Sequence, residues 1–141
     1  MQSDRWRRPL GALFLVSGSL HFLRPDPFAS IVPPILGPAL PWVWASGAAE
    51  LLCAAGLLAP GSRRRSTAAY ASAVLLVVVF PANLWMAWEA WRDVDATGLA
   101  RAVATARLPL QVPLVLAAVS VGREQAARQR LANRPASRTD G

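Results

Sequence analysis

Four polar side chains interrupt stretches of chain that are otherwise apolar: His21, Glu50, Asn83 and Gln111. Glutamate and histidine give and take protons near neutral pH, and the two amides both donate and accept hydrogen bonds. Together they are candidates for a ligand-binding or proton-handling site. Glu50 is the most constrained of them. An ionised carboxylate facing lipid is very unfavourable, so Glu50 must face the interior of a bundle and either be protonated or find a partner. His21 is the sole histidine, so a Glu50–His21 hydrogen bond or ion pair, bridged by water or Asn83 if needed, is the economical pairing. The competing reading makes the same side chains polar glue between helices, each bond contributing about 0.6–2 kcal/mol. Both readings stand for Glu50, and the structural one is the simpler for Asn83 and Gln111.

Several chemistries are excluded at this level. One His and one Glu leave a metal ion's coordination incomplete, with no second His or Cys at ligand spacing. Cys53 is the single cysteine, so no dithiol chemistry runs within this chain, and its place in an apolar run reads as structural. No phosphate loop, nucleophile elbow or dinucleotide fingerprint is present, and no haem or flavin motif.

The elements that would position these residues follow from the hydropathy pattern. Of 141 residues, 54% are hydrophobic and only 16% charged, and the charge is confined to short segments between long neutral stretches. A bilayer demands that distribution. The sequence predicts an all-α protein, a four-helix transmembrane bundle with spans at about 9–23, 42–59, 67–91 and 108–121. These form one domain over 1–125, followed by a polar, disordered tail over 126–141. The first span has a basic start like a signal peptide but no convincing cleavage site, so it reads as a retained helix. Between spans one and two lies a proline-rich loop, residues 24–41, with Pro25, Pro27, Pro33, Pro34, Pro38 and Pro41. No continuous helix runs through such a segment. Its apolar residues Phe28, Ile31, Val32, Ile35 and Leu36 fold it onto the membrane surface or into the bundle. Residues 99–106 read as a separate interfacial helix, and the last span as short.

Two signals orient the spans. The N-terminal segment, the loop near Arg64 and the tail hold eleven of the fifteen basic residues, all arginine, against four in the other loops. The positive-inside rule then puts both termini in the cytoplasm and the protein in the cell membrane. Trp42, Trp44, Trp85, Trp88 and Trp91 fall at the outer ends of spans two and three, where amphipathic rings are favoured. At about 1.5 Å per helical residue, Glu50 and Asn83 each lie about 12 Å below that border. His21 and Gln111 also fall in the outer half. The arginines flank apolar runs and do not line one face, which argues against a nucleic-acid partner despite the net charge of +7.

Small residues surround Glu50, from Ser46-Gly47-Ala48-Ala49 to Ala54-Ala55-Gly56, and let a neighbouring helix approach closely. Pro81 frees a backbone carbonyl one turn earlier and kinks span three where Asn83 is presented.

Taken in order, these residues resemble the DoxX family of small bacterial membrane proteins. The matching elements are His21-Phe22, Arg24-Pro25-Asp26-Pro27-Phe28, Ile31-Val32-Pro33-Pro34, Ser46-Gly47, Glu50-Leu51, Gly56-Leu57-Leu58 and Phe80-Pro81-Ala82-Asn83. The resemblance covers about residues 10 to 90. It implies a four-helix bundle in the plasma membrane and an accessory or quinone-interacting subunit of a membrane redox system. The partners so implied are the lipid bilayer and a membrane or soluble redox protein; the cofactor is left open, quinone being the one such a chain could hold. The alternative is a non-catalytic scaffold or assembly protein, and association with further copies of the chain is left open.

Overall fold

A computed structural model describes residues 3–134, and among them all regular structure is helical. Helix α1 spans Ser3–Leu23 and is followed by the short α2, Asp26–Ala29, and a single 3-10 turn, Pro34–Leu36. Pro33 and Pro38 stand in extended conformation just before the turn and before the next helix, so the proline-rich segment is broken into short pieces. Helix α3 is Ala39–Leu58, and Gly61, at φ +93°, turns the chain into α4, Ser62–Val78. Helix α5, Phe80–Arg92, continues α4 after a one-residue break at Val79. The break lies two residues before Pro81, whose missing N–H leaves the Val77 carbonyl without its helical donor.

Helix α6 departs most from expectation. It is one continuous helix, Gly98–Ala132, where the sequence predicts an interfacial helix, a short span from 108 and a disordered tail from 126. Arg107 reads as a boundary because a charge is costly within a span, and Pro109 biases Leu108 before it away from helix. The structure absorbs both Pro109 and Pro113 inside the helix. Its start is tied down: the Thr97 hydroxyl caps Ala100 N–H at 3.1 Å, and Arg101 donates to the Ala90 and Asp93 carbonyls at 3.1 and 2.9 Å. Trp91 Nε1 donates to Thr105 Oγ1 at 3.0 Å, one turn further on. The last part of the expected tail, 135–141, lies outside the described residues.

Three helical stretches are long and apolar enough to cross a membrane: Ala39–Leu58, Ser62–Arg92 and Gly98–Ala132. Only 28%, 22% and 22% of their apolar windows are buried within the molecule. The remaining apolar surface, including Leu52, Val74, Val77, Val112 and Leu116, faces outward, an arrangement that water disfavours and lipid accepts. Arginines occupy the first turns of α1 and lower its apolar character.

The helices close a ring, α1 on α3, α3 on α4, α4 on α6, and α6 back on α1, with α5 against α6. The core is built largely of small residues, Ala54, Ala68, Ala69, Ala73, Ala117 and Ala118, around Leu10, Phe14, Leu57, Leu76 and Val121. Cys53 is buried among them. Small side chains let the helix axes come close, which is how helices gain dispersion contact where lipid supplies no hydrophobic drive. Two crossings are especially close: a Cβ on Gly56 of α3 would lie 2.5 Å from Ala68 Cβ of α4, and between α1 and α3 a Cβ on Gly18 would lie 2.9 Å from the Gly47 carbonyl oxygen and one on Gly47 2.6 Å from His21 Cβ.

At the opposite end of α3, Arg7 is buried and its Nη1 donates to the Leu57 carbonyl at 2.8 Å. Arg65 Nε likewise reaches the Ala59 carbonyl at 2.8 Å. The last carbonyls of a helix lack helical donors and carry its negative pole, so two cations satisfy this terminus.

Candidate functional site: a cavity between the helices

The Gly18–Gly47 crossing positions the first half of the site. His21 lies one turn beyond Gly18 on α1, and Glu50 one turn beyond Gly47 on α3, so closing the helices brings the two side chains face to face. Both are buried, and His21 Nδ1 stands 3.9 Å from Glu50 Oε2. That distance allows an electrostatic contact when the imidazole is protonated and is too long for a hydrogen bond. Nδ1 instead bonds the Ser17 carbonyl at 2.8 Å. A carbonyl only accepts, so Nδ1 carries the hydrogen and Nε2 is the acceptor of the neutral ring. Phe28 of α2 stacks on the imidazole with ring centroids 3.8 Å apart, which fixes the ring plane. The Ser17 side chain adjoins the Glu50 carboxyl, yet Oε2 has no hydrogen-bond partner among the described residues.

The second half comes from α5 and α6. Asn83 Nδ2 donates to Gln111 Oε1 at 3.2 Å, and Gln111 Nε2 donates to the Leu76 carbonyl, in the turn of α4 just before the break. One buried amide thus ties α4, α5 and α6 together. A buried polar atom left without a partner is costly, and this pair leaves little unsatisfied.

Both halves line the same cavity, of about 560 Å³. His21, Glu50, Asn83 and Gln111 all face it, although the structure joins them as two pairs and not as one cluster. Its walls are mainly apolar, with Phe14, Val43, Leu76 and Leu114 among them. The proline-rich segment closes one side through Phe28, Ile31 and Leu36, and Trp42 Nε1 pins that segment by donating to the Leu36 carbonyl at 3.0 Å.

Sequence reasoning missed Arg107. It counted as a loop charge, yet it stands on α6 and lines the cavity. Among the described residues its one hydrogen bond is to Met86 Sδ at 3.5 Å, and no carboxylate lies within ion-pair distance. A signal was available: Arg107 precedes Gln111 by four residues, and side chains at that spacing share a helix face. Among the described residues no three of His, Cys, Asp and Glu are grouped to hold a metal ion.

An all-helical chain with span-length apolar helices and an outward apolar surface is a helical membrane protein. It belongs to the family defined by a domain of unknown function (DUF8561), whose family model matches residues 10–122. The matched stretch includes every residue that lines the cavity. No curated protein and no solved structure matches the chain.

Proposed function

We propose that this protein is a four-helix integral membrane protein of the cell membrane that holds a quinone-class ligand, as an accessory subunit of a membrane redox system. Four spans follow if α1 crosses beside the three helices that are long and apolar enough to do so. The arginine distribution supports cytoplasmic termini. The resemblance to the DoxX family supports the redox setting, and residues 24–41 then form a proline-rich loop over the ligand. A single observation carries the ligand reading: a mainly apolar cavity of about 560 Å³ in which Glu50 Oε2 has no hydrogen-bond partner among the described residues.

A quinone is flat and apolar except for two carbonyls that accept hydrogen bonds, and its reduction takes up protons. The Arg107 guanidinium supplies a donor for one carbonyl, while Glu50 and His21 form the proton-handling pair near the other. The apolar walls receive the ring and its tail. Purified Glu50→Gln should bind a quinone analogue at least tenfold more weakly than the unaltered protein; equal affinity would refute the assignment.

A scaffold or assembly role is the second reading, and the Asn83–Gln111–Leu76 chain favours it, because those groups satisfy one another without a ligand. It predicts that Glu50→Gln lowers thermal stability in detergent and that no quinone analogue binds the unaltered protein.

A further inference from the structure

A second hollow lies at the arginine-rich end of the molecule, away from the cavity. Its volume is about 480 Å³, and it is lined by Tyr70, Arg123, Ala126, Ala127, Arg130 and Leu131. Arg123, Ala127 and Arg130 follow each other at four and three residues, so they share one face of α6. Alanine between two arginines leaves the space that a longer side chain would fill. Tyr70 comes across from α4 and packs flat on Gly122, where a Cβ would meet the ring at 3.0–3.1 Å.

The polar groups around this hollow are all able to donate. Arg123, Arg130 and the Tyr70 hydroxyl have neither an ion pair nor a hydrogen bond among the described residues. Arg128, on a different face of the same helix, is paired with Glu124 at 2.7 Å. Two unpaired guanidiniums and a phenol converging on one space define a receptor for an anion with several acceptor oxygens, and arginine matches phosphate geometry best.

Position says where the anion comes from. Helix α6 has 35 residues, about 52 Å against a hydrocarbon core of about 30 Å. Its charged end therefore stands at a membrane border, beside Arg63, Arg64 and Arg65 in the first turn of α4. Ser66 Oγ donates to the Gly122 carbonyl at 3.0 Å and joins the two helices at this level. Deeper along α4, Val74 and Val77 are exposed and offer an apolar track for acyl chains. We infer that the hollow between α4 and α6 binds the phosphate of an anionic phospholipid from the adjacent leaflet. Arg123 and Arg130 grip the phosphate, Tyr70 donates a third bond, and the acyl chains descend along α4. The site is independent of whatever ligand the cavity takes.

The test uses the full chain in detergent with phosphatidylglycerol and phosphatidylcholine as probes, read by native mass spectrometry. The unaltered protein should retain phosphatidylglycerol in preference to phosphatidylcholine. The double variant Arg123→Gln/Arg130→Gln should weaken that retention about thirtyfold. Arg128→Gln/Arg134→Gln, which removes equal charge outside the hollow, should leave it unchanged. Arg123→Lys/Arg130→Lys should restore most of it, which separates lost binding from lost folding. Absence of a phosphatidylglycerol preference, or equal loss in the two glutamine pairs, would overturn the site. Displacement of the lipid by inorganic phosphate at equal concentration would overturn the lipid assignment in favour of a soluble anion.

Discussion

Gly47→Ala should separate α1 from α3 and disable the cavity with one methyl group. The added Cβ would lie 2.6 Å from His21 Cβ, 3.1 Å from Phe22 Cε2 and 3.2 Å from the Gly18 carbonyl oxygen. Carbon atoms pack at about 3.5–4.0 Å, so relief requires about 1 Å of helix separation or rotation. The Phe22 ring can swing aside, but the nearest neighbour is a side chain at its rigid first atom and the third is a backbone oxygen, so most of the strain cannot go into a flexible tip. Overpacking of this kind costs about 1–3 kcal/mol. His21 is the atom group pushed, so its 3.9 Å approach to Glu50 opens as well. Reversible unfolding of the purified protein in mixed micelles measures the first effect, and quinone-analogue affinity the second. Gly18→Ala supplies the internal control, since its Cβ would meet the Gly47 oxygen at 2.9 Å from the other side of the same crossing. Once one substitution has parted the helices, the second meets less resistance, and the double variant should lose less than the sum of the two, with a coupling of about 0.5–3 kcal/mol. Native stability in Gly47→Ala, or strict additivity with Gly18→Ala, would refute the close crossing.

Three further outcomes follow from side chains described above. Gln111→Leu removes bonds to both Asn83 and the Leu76 carbonyl, and should lower unfolding stability by about 1–4 kcal/mol, at about 0.6–2 per membrane hydrogen bond; an unchanged midpoint would mean those bonds carry nothing. Arg7→Leu strips the Leu57 carbonyl of a charged donor and should cost about 1.5–3 kcal/mol, whereas Arg8→Leu, at an exposed position one residue on, should cost little. Equal losses would make the Arg7 effect one of general charge. Cys53, 7% exposed, should resist maleimide in the folded protein and react fully in denaturant; rapid native labelling would contradict its place in the core.

The sequence exposes some of this molecule well and hides the rest for identifiable reasons. The apolar runs of α3 and of α4 with α5 are broken by few polar residues and bounded by Pro60-Gly61 and Arg92-Asp93, and the helices fall where those runs do. Pro81 marks the α4–α5 break because a missing N–H is a local fact. The extent of α6 is hidden because Pro109 opposes helix continuity locally and Arg107 reads as the end of a span, whereas packing against α1, α4 and α5 holds the helix through both. Burial and isolation drew attention to His21 and Glu50, but the 3.9 Å between them and the Nδ1 bond to Ser17 depend on how closely two glycines let the helices cross. Arg107 was overlooked because a charge at a supposed helix boundary is ordinarily solvated, and here the helix does not end.

The bond from Arg7 to the Leu57 carbonyl spans fifty residues of sequence, and it fastens the start of α1 to the end of α3. A helix tied at one end and crossed closely near the other cannot slide along its neighbour. The guanidinium at Leu57 and the close approach at Gly18 and Gly47 together fix the register of the pair. The two helices therefore set each other's height, and a shift of one carries the other with it.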